Sequence, residues 1–130
     1  MVCLDSDVLI NFLRKDKITI ELFERLKKEG RSLSTTSINS FELLKGIPKL
    51  SNMDKKRVLE FLNNFEIYDF EFESSKKAAE IFETLKSKGD LIELPDIMIA
   101  SIAIANGETL VTMNKSHFKR INELKLEELK

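Results

Sequence analysis

A chain of 130 residues and 15.0 kDa, 42% of them apolar, has enough hydrophobic material for one globular core, so residues 1–130 are expected to form a single domain. Its 21 Lys and Arg against 22 Asp and Glu leave a net charge of −1, which excludes a uniformly basic polyanion binder and leaves only a local basic surface for nucleic acid. A single cysteine excludes an internal disulfide and points to a reducing, cytoplasmic setting, while the longest apolar block, 97–105, is interrupted by Ser101 and too short to span a bilayer, so a soluble protein with no membrane partner is expected.

The chain opens on a short apolar run, 2–4, that reads as a buried strand with Cys3 as a small buried thiol. After Asp5 a second apolar group, Val8 to Leu13, reads as a turn into a short helix. Ile18, Leu22, Phe23 and Leu26 recur at helical spacing within 18–29, and Gly30 stands where a left-handed cap is wanted. The hydroxyl-rich stretch 31–36 fits a strand, after which Ser37 offers an N-cap to a helix carrying Phe41, Glu42, Leu43 and Leu44 that Gly46 and Pro48 would end.

A third helical stretch, 54–65, places Val58, Leu59, Phe61, Leu62 and Phe65 on one face, and 67–70 resumes as a strand. Ser74 or Ser75 can cap the next helix, whose Ala78, Ile81, Phe82 and Leu85 face inward before Gly89. Pro95 suits a first helical turn, and the following 96–106 is apolar nearly all round, so this helix should be central. Strands are expected at 109–112 and 124–126. Strands alternating with helices along the whole length predict a three-layer α/β/α domain with a mainly parallel central sheet.

In open parallel sheets ligands sit beyond the carboxyl ends of the strands, where loops converge and helix N-termini point outward. Asp5 and Asp7 follow the first strand, Thr112 and Asn114 follow the strand at 109–112, Asp96 opens the apolar helix, and Glu42 rides the helix after the second strand. Three carboxylates in one cleft repel by about 3 kcal/mol per pair at roughly 5 Å and an effective dielectric near 20. A cation must offset that, and oxygen-only ligands with room for water suit Mg²⁺ or Mn²⁺. Such an ion lowers the pKa of a bound water and neutralises charge on a leaving oxygen, so a phosphodiester can be cut without a protein nucleophile.

Four segments carry a family resemblance over almost the whole chain. Cys3-Leu4-Asp5-Ser6-Asp7-Val8-Leu9-Ile10 resembles the opening of the PIN-domain family, in which an aspartate ends the first strand and a hydroxyl residue and an Asn or Asp follow. Thr36-Ser37-Ile38-Asn39-Ser40-Phe41-Glu42-Leu43-Leu44-Lys45-Gly46 is similar to its second segment, with the glutamate at Glu42. Pro95-Asp96-Ile97-Met98-Ile99-Ala100 resembles the third and Leu110-Val111-Thr112-Met113-Asn114, continuing to His117-Phe118, the fourth. The resemblance, within that family to VapC-type toxins, implies a Mg²⁺- or Mn²⁺-dependent endoribonuclease, commonly a homodimer and commonly paired with a separately encoded antitoxin. It further implies that Asp5, Glu42 and Asp96 hold the metal and that Asn114 completes the site. Asn114 is a departure where relatives also carry Asp, and one negative charge fewer favours a single tightly held ion.

Asp5 lies in an apolar stretch where a lone carboxylate is costly, which favours a bound ion over a simple cap. Asp7 can add charge or cap the helix that follows, and Ser6 and Thr112 can hydrogen-bond the carboxylates. Asp90 and Glu93 read as surface charges, and His117, the sole histidine, as a surface or packing residue. Arg14, Lys15, Lys17, Arg25, Lys27, Lys28 and Arg31 could flank the cleft and hold phosphates, or simply form solvated helix faces. Two other functions fit parts of the pattern. Asp5-Ser6-Asp7-Val8 also matches the D-x-D motif of a haloacid-dehalogenase-like phosphatase with Asp5 as nucleophile, and a PIN-like module could bind RNA or protein without cutting.

Overall fold

A computed structural model describes residues 1–46, 55–127 and 129. The elements run β1 (Val2–Leu4), α1 (Ser6–Leu13), α2 (Lys17–Lys28), β2 (Leu33–Thr36), α3 (Ser37–Lys45), α4 (Lys55–Leu62), β3 (Glu66–Tyr68), α5 (Phe72–Ser87), α6 (Leu94–Ala105), β4 (Thr109–Val111), α7 (Lys115–Phe118) and β5 (Leu126–Glu127). The strands form one sheet in the order β3-β2-β1-β4-β5 with every pairing parallel. Helices cover both faces, so the expected three-layer α/β/α architecture is what the chain adopts.

Alternation along the strands divides the core in two. Val2, Leu4 and Val111 face one layer, packed with Val8 and Leu9 of α1, Leu22 and Leu26 of α2, Leu43 of α3 and Val58 and Leu62 of α4. Cys3 and Leu110 face the other, with Ile81 and Leu85 of α5, Ile97, Ile99, Ala100 and Ala103 of α6 and Phe118 of α7. The Cys3 thiol is fully buried, and burial pushes its pKa up to about 12, so it is an inert core residue. Helix α6, with six buried residues and no polar face, takes the central place its composition demands.

Three helix boundaries move by a few residues. The cap of α3 is Thr36, one residue before Ser37, because its Oγ1 accepts from Asn39 N at 3.1 Å. Helix α5 begins at Phe72 with no side-chain cap; Ser74 is buried in its first turn and Ser75 Oγ bonds back to Phe72 O at 2.7 Å. Helix α4 stops at Leu62, before Phe65, because Asn64 Nδ2 donates to the terminal carbonyls of Glu60 and Phe61 at 3.2 and 3.1 Å. Leu59 is exposed, off the inward face. Asp54 and Pro48 lie outside the described residues. The four-residue α7 lies where no helix was expected. No helix among the described residues is long and apolar enough to cross a membrane.

Candidate active site

Strand β1 lies mid-sheet between β2 and β4, and its carboxyl end delivers Asp5 to the point where α1, α3 and the β4–α7 loop meet. Asp5 caps α1 and is only 6% exposed. Its Oδ1 accepts from Ser6 N at 2.9 Å and Asn39 Nδ2 at 2.8 Å, and its Oδ2 from Thr112 Oγ1 at 2.7 Å. The first turn of α1 places Asp7 on the same side. Its Oδ2 accepts from Met113 N at 3.1 Å, while its buried Oδ1 has no hydrogen-bond partner.

The remaining groups arrive from three other elements. Thr36 caps α3 and thereby fixes Asn39 and Glu42, three residues apart on one helical face. Ser6 Oγ donates to Glu42 Oε1 at 2.7 Å and lies 2.9 Å from Asn39 Nδ2, so Glu42 is joined to Asp5 through Ser6 and Asn39. Asp96, in the first turn of α6, places Oδ2 at 3.2 Å from His117 Nδ1. Asn114 sits between the two sides: its backbone N donates to Thr112 Oγ1 at 3.0 Å and its amide nitrogen lies 2.9 Å from His117 Nδ1.

The electrostatics place Asp5, Asp7 and Asp96 in one field. Burial pushes the Asp5 pKa up to about 7, with the charges of Asp7 and Asp96 adding to the rise and the Thr112 and Ser6 hydrogen bonds opposing it. Asp7 is raised too, by burial first, against the Met113 N and Thr112 Oγ1 contacts that favour its charge, with Asp96 again contributing. A site that holds anions at this cost, with one carboxylate oxygen buried and unsatisfied, has the character of a cation site. Among the described residues no three acidic, histidine or cysteine side chains are grouped to hold an ion by themselves. That is compatible with Mg²⁺, which binds through one or two carboxylates and keeps several waters.

Of the residues marked out in the sequence, Asp5, Asp7, Ser6, Thr112 and Glu42 form one bonded cluster, Asn114 joins it at Thr112, and Asp96 adjoins it through His117. Asp90 and Glu93 are exposed, as expected. Arg31 does not stand free beside the cleft: its guanidinium is 2.7 Å from Glu127 and 3.6 Å from Glu29. Two residues escape sequence reasoning. Asn39, completely buried, is a donor to Asp5, and its spacing of three from both Thr36 and Glu42 was the available signal. His117, expected at the surface or in packing, touches Asp96; its spacing of three from Asn114 was the clue.

The model of the PIN-domain family matches residues 2–124. The chain belongs to the PIN-domain family. Membership sets aside the phosphatase alternative. Among PIN proteins the chain is 32% identical to "Ribonuclease VapC2" of Rickettsia felis over 126 residues, covering 95% of this chain and 94% of that protein. It is also 32% identical to "Ribonuclease VapC1" of Methanocaldococcus jannaschii, over 96% of this chain and 84% of that one. Its fold superposes on the crystal structure of VapBC2 from Rickettsia felis, bound to a DNA fragment from their promoter, with a TM-score of 0.84 and 31% identity over 98% of both chains. DNA-bound VapBC from Salmonella typhimurium gives 0.81 at 25% identity over the full length of both.

Proposed function

We propose that this PIN domain, residues 1–130 as one unit, is a divalent-cation-dependent endoribonuclease and the toxin of a type II toxin–antitoxin pair. The observation that carries the reading is that Asp5 and Asp7 are held at raised pKa at the carboxyl edge of the parallel sheet, with Glu42 joined to Asp5 through Ser6 and Asp96 through His117, Asn114 and Thr112. The ribonuclease names of its relatives and the toxin–antitoxin complexes among its structural neighbours support it.

The donors fit Mg²⁺ or Mn²⁺: they are hard carboxylate oxygens, and the free Oδ1 of Asp7 lacks any protein partner. Asp5, Glu42 and Asp96 would hold the ion, one or two of them directly and the rest through its waters, with Asp7 adding charge beside them. When bound, such an ion supplies activation of water and neutralises charge on the scissile phosphate. The chain's own residues set the geometry. Asn39 and Thr112 each fix one oxygen of Asp5, Ser6 orients Glu42, and Asn114 links Thr112 to His117. Water attacking phosphorus forms a new P–O bond and sheds a proton to solvent as the bond to the 3′ oxygen breaks, and the leaving oxygen takes up a proton from solvent.

An antitoxin chain would cover this acidic cleft in the cytoplasm. A homodimer would cover some of the large apolar side chains left exposed, Phe41 of α3, Phe72 of α5 and Leu94 of α6. The test is end-group analysis of RNA cut by the purified protein in Mn²⁺. Fragments with 5′-phosphate and 3′-hydroxyl ends are expected. Ends carrying 2′,3′-cyclic phosphate would mean that the RNA's own 2′-hydroxyl attacks, and the hydrolytic reading would fail.

A further inference from the structure

His117 is the only histidine of the chain and stands inside the hydrogen-bond chain rather than beside it. Its Nδ1 is 3.2 Å from Asp96 Oδ2 and 2.9 Å from the Asn114 amide. The backbone that carries the ring is anchored on both sides. Phe118, the next residue, is fully buried in the core beneath α7, and His117 N bonds back to Asn114 O at 3.3 Å. Asn114 N in turn bonds Thr112 Oγ1, which donates to Asp5 Oδ2. A continuous path therefore runs from Asp96 through His117, Asn114 and Thr112 to Asp5, joining α6, α7, β4 and β1.

The chemistry of the contact assigns the ring its role. One imidazole nitrogen cannot accept from the Asn114 amide and donate to Asp96 at the same time. A bare lone pair on Nδ1 would face the Asp96 anion at 3.2 Å and repel it. The Nδ1–H tautomer removes the conflict, and the Asn114 side chain, whose oxygen and nitrogen exchange places by a simple flip, then presents its carbonyl to the ring. Held by Nδ1–H, Oδ2 of Asp96 is fixed and Oδ1 is left for an ion.

Resting on the function proposed above, we propose that His117 is a positioning residue that orients the Asp96 carboxylate for cation binding by donating from Nδ1. Hydrogen-bond partners of ligating groups are worth about 10- to 100-fold in metal affinity or activity. The ring side chain is 37% exposed, so it can be replaced without emptying the core.

The experiment compares wild type with His117→Leu, His117→Asn and Asp96→Asn, titrating Mn²⁺ and reading the free ion by electron paramagnetic resonance, with melting temperature and RNA cleavage measured alongside. His117→Leu should weaken Mn²⁺ binding about 10- to 100-fold and slow cleavage in proportion, at a melting temperature close to that of wild type. His117→Asn, whose side-chain N–H can occupy the place of Nδ1–H, should recover most of both. If His117→Leu binds Mn²⁺ as wild type does, or His117→Asn is no better than His117→Leu, the positioning role is wrong. If Asp96→Asn itself binds Mn²⁺ and cleaves as wild type does, it is the nuclease reading that falls, whatever the His117 variants do.

Discussion

Asp5→Asn and Asp96→Asn should each lower RNA cleavage about 10³-fold or more while leaving a folded protein. The two positions differ in surroundings but not in consequence. Asp5 is nearly closed off from solvent and bonded by Ser6, Asn39 and Thr112, whereas Asp96 is half-buried and held by His117. An amide keeps the shape of either side chain and most of its hydrogen bonds, so the loss would come from the missing negative charge. At Asp5 the new amide would donate to Thr112 Oγ1, whose own proton could turn toward Asp7 Oδ2, 3.5 Å away. The measurement is the single-turnover rate on one RNA at saturating Mn²⁺. A rate within a few-fold of wild type for either variant would remove that residue from the machinery.

Asp5→Asn should also make the metal-free protein more stable, and increasingly so as the pH rises. The folded chain holds the Asp5 pKa at about 7 against an ordinary value of 3.8, chiefly through burial. The folded state therefore binds the proton more tightly than the unfolded state does, and the stability tied to that proton is fully present below pH 4. It is lost as the pH climbs through 7, where the buried carboxylate must ionise. At 1.36 kcal/mol per pKa unit the loss amounts to at most about 4 kcal/mol, or on the order of 10 °C in melting temperature for a chain of this size. The gap between variant and wild type should open between pH 4 and 7 in chelator and then level off.

Saturating Mn²⁺ should close that gap, because an ion bound only by the folded wild type adds about 4.1 kcal/mol at a thousandfold excess over its dissociation constant. The variant lacks the charge that attracts it. A wild type as stable as Asp5→Asn at pH 8 in chelator would mean that the carboxylate is not strained by its surroundings.

How far the sequence reveals this arrangement depends on the range over which each feature is encoded. Asp5 is legible because a carboxylate directly after an apolar strand is costly unless donors or a cation meet it, and α6 because a helix with no polar face can only be central. Glu42 and Asp96 are legible as members of ordered segments shared with the PIN family rather than by their own surroundings. Asn39 is hidden: a polar residue on a helix normally faces water, and its complete burial arises only where α3 meets β1 and α1. His117 is hidden because α7 has four residues, too few for a hydrophobic period to declare which way its side chains point. The caps of α3 and α5 shift for a simpler reason, since neighbouring hydroxyls at Thr36 and Ser37 have similar capping tendencies and α5 starts without a side-chain cap at all.

Cleavage of one defined RNA by the purified wild-type chain, followed across a Mn²⁺ titration that starts from excess chelator, addresses the acid cluster most directly. No cleavage should occur in chelator, and activity should rise with Mn²⁺ or Mg²⁺ to saturation, in step with the rise in melting temperature. Cleavage at full rate in chelator, with no response of rate or melting temperature to either ion, would show that the carboxylates around Asp5 and Asp96 do not work through a bound cation.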